Sequence, residues 1–161
     1  MEHLHAYWRM PYIEAPRGEK PTGNPFAGMD TVKDERKALL VWRGNTTFLI
    51  MNKFPYNAGH LLAMPYREVA DLEDLTGEES TELMATITRG KALLHAALKP
   101  DGYNIGFNLG KAGGAGIPRH IHCHIVPRWE GDTNFMPVIG DTRVLPQSLD
   151  AMWERLHSLA N

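Results

Sequence analysis

Between residues 38 and 64 the apolar positions fall into three short β-type runs. The first two, over 38–42 and 46–52, flank Arg43-Gly44-Asn45, and turn-forming residues between such runs predict a hairpin. The third, over 59–64, stops at Pro65. The spacing then changes to a helical one, with Leu83, Ile87, Leu94 and Leu98 on one stripe and Gly90 where close packing is wanted. Leu72 and Leu75 lie in an acidic stretch before Thr76-Gly77-Glu78-Glu79. There the Thr side chain can accept from a first-turn amide and the Glu can reach back, so a helix starts at this point; Pro100 and Gly102 end it. β character resumes over 103–109, a glycine-rich loop covers 110–116, and 120–126 alternates as a strand. From Pro146 onward a second helix places Leu149, Met152, Trp153 and Leu156 on its buried face. Strands therefore follow one another in runs instead of alternating with helices. That order predicts an α+β domain with a mostly antiparallel sheet over a doubly wound parallel one.

Residues 1–37 show no such period. They are rich in Pro, Gly and charge, yet Tyr7, Trp8, Met10, Tyr12 and Ile13 form a patch that disfavours water. The segment 1–37 thus reads as an arm that packs on the domain of residues 38–161 or on a partner subunit. A chain of 161 residues, 43% of them hydrophobic, suits one domain with its own core. The net charge of −2 offers no broad basic surface for long nucleic acid, so any phosphate must be held locally. No basic start leads into an apolar run, and no stretch nears about 18 uninterrupted apolar residues; neither secretion nor a membrane span is expected. Cys123 has no second thiol to pair with, which fits a reducing, cytoplasmic setting.

Residues 120–126 bring in chemistry. They read His-Ile-His-Cys-His-Ile-Val, so on a strand His120, His122 and His124 share one face, while Ile121, Cys123 and Ile125 take the other. Zinc is one use of His-x-His, with two ligands; three is harder, because the outer α-carbons are about 13 Å apart and each ring must come within about 2 Å of the ion. Solvated or backbone-satisfied histidines are the plain alternative. Phosphoryl transfer uses the whole row: a neutral imidazole attacks phosphorus near pH 7, and its neighbours fix its tautomer, bond non-bridging oxygens and protonate the leaving phosphate. The middle residue, His122, is the natural attacker. Upstream, Gly110-Lys111-Ala112-Gly113-Gly114-Ala115-Gly116 lets backbone amides approach an anion, although such loops are often only turns. Other residues read more plainly: Cys123 as a small core residue, Lys111 as a solvated lysine, Trp129 and Trp153 as packing groups. Arg128 can pair with an acidic neighbour or with substrate.

These residues resemble the histidine triad (HIT) family, whose signature His-φ-His-φ-His-φ-φ, with φ apolar, is matched over 120–126. Asn52, Pro55, Gly59, His60 and Pro65 are similar to an earlier family segment. The flanks Pro127-Arg128-Trp129-Glu130-Gly131-Asp132-Thr133-Asn134-Phe135 and Val144-Leu145-Pro146-Gln147 resemble the branch of bacterial diadenosine tetraphosphate phosphorylases and related dinucleoside polyphosphate hydrolases. The resemblance covers residues 8–156. It implies a five-stranded antiparallel sheet with two main helices, and a homodimer, or a higher homo-oligomer, in which the sheets join edge to edge into a ten-stranded one. It also implies roles: His122 attacks the α-phosphorus of a dinucleoside polyphosphate and carries the nucleotide, His124 contacts the reacting phosphate, and His120 and His60 support the nucleophile. Asn52 holds ribose, Ile50 and Leu62 face the base, and Asn108, Ala115 and Gly116 line the phosphate channel.

Two departures from the family pattern matter. The glycine loop ends Gly114-Ala115-Gly116 where relatives often carry a hydroxyl or amide side chain, which leaves phosphate or water open as the second acceptor. Some relatives hold a structural zinc through cysteines in a segment matching Asn24-Pro25-Phe26-Ala27; both are lost here, so no structural zinc is expected. No cofactor is required by the mechanism, and a divalent ion could accompany the nucleotide. Purine nucleoside phosphoramidase activity, or nucleotide binding without turnover, are the competing functions. The binding-only reading fits three retained histidines poorly, because Arg serves phosphate binding better.

Overall fold

The computed structural model describes residues 23–133 and 145–161. Asp34 caps a short helix α1 (Glu35–Ala38), which Leu39 closes in the left-handed region at φ 57°. The expected hairpin follows as β1 (Leu40–Arg43) and β2 (Thr47–Met51), so its first strand begins where α1 releases the chain. Next come β3 (Leu61–Pro65), the long helix α2 (Gly77–Leu98), β4 (Gly102–Phe107), β5 (Cys123–Arg128) and helix α3 (Leu149–Ala160). The five strands run in the order β1-β2-β3-β5-β4, antiparallel at every pairing. This is the α+β architecture that the run order predicts.

One sheet face is closed by the helices. Leu49, Met51, Leu61, Ala63, Cys123 and Ile125 lie beneath Leu83, Ile87 and Leu94 of α2 and Met152, Trp153 and Leu156 of α3. Gly90 allows the approach: a β-carbon there would stand 2.8 Å from Ile125 Cδ1 and 3.1 Å from Leu49 Cδ1. Trp153 Nε1 donates to the Leu40 carbonyl at 2.8 Å, so this Trp packs and is satisfied, as expected. The opposite face carries a second cluster of Leu40, Phe48, Ile50, Leu62 and Met64, joined by Phe26 from outside the sheet. That face leads to the histidines. No helix among the described residues is long and apolar enough to cross a membrane.

The start of α2 bears out the capping box in full. Thr76 Oγ1 accepts from the Glu79 amide at 3.1 Å, and Glu79 Oε2 accepts from the Thr76 amide at 2.9 Å. Glu79 also takes two bonds from Arg67, which follows β3, and these hold its carboxyl down at about 2; the Thr76 amide adds to the effect and burial opposes it. A carboxyl depressed when folded contributes stability above its unfolded value and loses it as pH falls through the folded value. Urea midpoints for the wild-type protein should therefore fall between about pH 4.5 and 2 more steeply than those of Glu79→Gln, which has no such carboxylate to protonate.

The alternating pattern over 120–126 predicts a strand from His120, but β5 begins at Cys123. β3 ends at Pro65, which has no N–H to offer a ladder, and the preceding residues bond elsewhere. Ile121 donates its amide to Val69 at 2.7 Å, and the His120 ring bonds the Pro65 carbonyl at 2.8 Å. The apolar patch between Tyr7 and Ile13, and the matched residues Asn134, Phe135 and Val144, lie outside the described residues.

Candidate active site

His124 is the second residue of β5 and sits opposite Leu62 of β3 and Gly106 of β4, which places it on the face away from the helices. The His122 ring lies beside it, centroid to centroid 5.1 Å. Cys123 between them points into the helix-side core, and burial pushes its thiol up to about 11. It behaves as the core residue expected.

Backbone groups decide the histidine tautomers. A carbonyl oxygen only accepts, so the 2.8 Å contact between His122 Nδ1 and the His120 carbonyl places the proton on Nδ1 and leaves a lone pair on His122 Nε2. Burial holds His122 below the ordinary value near 6.5, against the opposing pull of that bond, and so keeps it neutral. His60 has the reverse arrangement. The Tyr56 amide donates to its Nδ1 at 3.0 Å, so the proton sits on Nε2, which meets His124 Nδ1 at 2.9 Å. The neutral His124 ring then carries its own proton on Nε2. Two adjacent imidazoles are held in opposite tautomers, one with a lone pair on Nε2 and one with an N–H there. Asn108 lies 3.3 Å from His124 Nε2, and its amide oxygen, interchangeable in shape with the NH₂ group, fits that N–H.

Of the remaining expected residues, Asn52, Ile50 and Leu62 adjoin this pair. Asn52 Nδ2 lies 3.3 Å from His60 Nδ1, and its Oδ1 takes the Phe54 amide at 2.9 Å. Ile50 and Leu62 pair across β2 and β3 on the His124 face, buried in the cluster with Phe26. His120 is buried at the bend before β5 instead of projecting from it. In the glycine loop the Gly114 amide donates to the Lys111 carbonyl and the Ala115 amide to the Gly110 carbonyl, at 3.1 and 3.2 Å. These two donors thus serve the turn itself. Gly116 precedes Ile117, whose side chain packs on the Phe26 cluster and whose carbonyl accepts the His120 amide at 3.2 Å. The loop is therefore coupled to the triad through Ile117.

Sequence patterns do not single out several residues that build the site. The Tyr56 ring lies 4.6 Å from that of His60 and stacks at 5.4 Å on that of His124. Asn57 donates to the Pro127 carbonyl at 3.2 Å and to Asp132 at 2.8 Å, which braces the loop carrying His60. Arg128 pairs in two bonds of 2.7 Å with Asp132, so it has the acidic neighbour and holds that carboxyl well below the usual range. Gly59 sets the loop against the core at φ +76°, where a β-carbon would meet Leu98 Cδ1 at 2.6 Å and Leu94 Cδ2 at 3.0 Å. Gly59→Ala should cost about 2–3 kcal/mol in urea unfolding, from overpacking plus the left-handed backbone. Asn24 and Phe26 also reach the histidines. Among the described residues, no three His, Cys, Asp or Glu side chains gather in a way that would hold a metal ion.

The HIT domain model matches residues 33–131, which include all four histidines above. The chain belongs to the HIT family. This HIT protein is 41% identical over 155 residues to the AP-4-A phosphorylase of Mycobacterium tuberculosis, covering 92% of this chain and 79% of that one. It is 32% identical over 91 residues to the asymmetrical bis(5'-nucleosyl)-tetraphosphatase of Schizosaccharomyces pombe, covering 56% of this chain and 50% of that protein. Among solved structures, the NitFhit protein of C. elegans superposes with a TM-score of 0.61 at 28% identity, over 74% of this chain and 27% of that larger one.

Proposed function

We propose that this HIT protein cleaves dinucleoside polyphosphates of the diadenosine tetraphosphate class by two successive nucleotidyl transfers through His122. The observation that carries the reading is the pair of opposed tautomers: His122 Nε2 has its lone pair, and the ring 5.1 Å away holds a proton on Nε2. The similarity to an AP-4-A phosphorylase over most of both chains supports the substrate class.

In the first step His122 Nε2 bonds to the α-phosphorus and the bond from that phosphorus to the bridging oxygen breaks; the phosphate departs as an anion, stabilised by a hydrogen bond from the Nε2–H that His124 keeps. In the second, an oxygen of inorganic phosphate or water bonds to the same phosphorus, the phosphorus–nitrogen bond breaks and returns the lone pair to His122 Nε2, and the proton of the attacking group stays on the phosphate product or passes to solvent. Burial of His122 favours the first step, because a cation there would have no lone pair to offer. All the groups invoked are side chains or backbone of this chain, so the proposal needs no resident cofactor. Within it, Asn52 takes ribose, Ile50 and Leu62 the base, and Asn108 the phosphate beside His124. Ala115 and Gly116 line the phosphate channel.

β4 is an edge strand with Asn104, Ile105 and Gly106 exposed, and pairing of such an edge with a second copy would extend the sheet to ten strands. A cytoplasmic location accords with the lone, buried Cys123. The test of the function is product analysis with and without inorganic phosphate. Phosphate-dependent ADP means phosphorolysis, and AMP plus ATP means hydrolysis. Inertness toward the dinucleotide with cleavage of an adenosine phosphoramidate would overturn the substrate class.

A further inference from the structure

Asn24 lies outside the matched family segment, yet its side chain is wired into the triad. Its Oδ1 accepts the Phe26 amide at 2.9 Å, and its Nδ2 donates to Glu68 Oε2 at 2.6 Å. A flipped amide would set oxygen against carboxylate and NH₂ against an N–H, so the orientation is fixed. The second hydrogen of the same NH₂ points to His120 Nδ1 at 2.8 Å. His120 Nδ1 is therefore an acceptor, and its proton sits on Nε2, 2.8 Å from the Pro65 carbonyl. The other tautomer would place donor against donor at one nitrogen and lone pair against lone pair at the other, in a ring only 1% exposed.

The consequence reaches His122 by two routes. The His120 carbonyl receives the His122 Nδ1 proton, and the Phe26 ring lies against both imidazoles, 5.4 Å from His120 and 5.8 Å from His122. The amide also stands between His120 and the carboxylate of Glu68, whose other oxygen pairs with Arg119 at 3.3 Å. We propose that Asn24 is a positioning residue that locks His120 in its Nε2–H tautomer and thereby orients the His122 nucleophile. The assignment of His120 stands on geometry alone, while its link to turnover rests on the reading of His122 given above.

Asn24→Asp keeps the shape and removes the donor, whereas Asn24→Ala removes both. Should a second carboxylate beside Glu68 impair folding, Asn24→Asp with Glu68→Gln restores a donor toward it. The readouts are ¹⁵N-histidine NMR of His120 and steady-state kinetics on a dinucleoside polyphosphate. The wild type should show His120 protonated on Nε2 alone. Either Asp variant should show it protonated on Nδ1 as well, with kcat down about ten- to a hundredfold and KM within about twofold. A mere spacer role predicts the opposite order, with Asp harmless and Ala damaging. An unchanged His120 tautomer in the Asp variants overturns the proposal, and so does a changed tautomer with wild-type kcat. An active His122→Asn control would instead sink the functional reading and leave the tautomer assignment intact, because the NMR experiment uses no turnover.

Discussion

His122→Asn should bind dinucleoside polyphosphate with an affinity close to wild type and turn it over about 10⁴-fold more slowly, or worse. The Asn NH₂ occupies nearly the place of imidazole Nδ1 and can still donate to the His120 carbonyl, so the bend before β5 survives. What disappears is the Nε2 lone pair. A change that spares the local bond and removes only the reacting atom separates chemistry from folding. Equilibrium binding of a non-hydrolysable analogue, measured beside single-turnover rates, checks both halves of the expectation. Turnover within tenfold of wild type would remove the covalent mechanism.

The second large effect is expected at His124. His124→Ala should lower kcat about 10²- to 10⁴-fold on a dinucleoside polyphosphate, because the charge gathering on the departing phosphate oxygen loses the N–H that stabilises it. It should lower it far less on an adenylate ester of p-nitrophenol, whose departing oxygen spreads its charge into the ring. Equal losses on the two substrates would make His124 a binding residue instead. His60→Ala should follow the same leaving-group pattern with a smaller loss, since His60 acts on the substrate only through the 2.9 Å bond that sets the His124 tautomer.

Local rules made much of the fold legible. The hairpin, the capping box at Thr76 and the stripe of α2 depend on residues within a few positions of each other, and the structure has all three. The start of β5 was not legible in the same way. His-Ile-His-Cys-His alternates throughout, but a strand also needs a ladder partner; continued, the register would set Ile121 against Pro65, which has no N–H to give, and Ile121 bonds Val69 instead. The motif still identifies His122 and His124, whose neighbouring rings do not depend on the strand reaching back to His120. His60 came from the family resemblance and not from any spacing. Asn24 stood out only within the segment of the lost cysteines, and Tyr56 not at all, for a physical reason. Asn24 meets His120 across 96 positions from a Pro- and Gly-rich segment with no period, and Tyr56 acts through its backbone amide and ring position within what reads as a turn.

In this mechanism the nucleotide passes through His122 on its way to the second acceptor. The stereochemical course at an α-phosphorus made chiral with sulfur and oxygen isotopes decides whether it does. Each in-line displacement inverts that centre, so two in succession give net retention, and retention is the result this mechanism predicts. Net inversion would mean that phosphate or water attacks the substrate in a single step, with His122 in some other role.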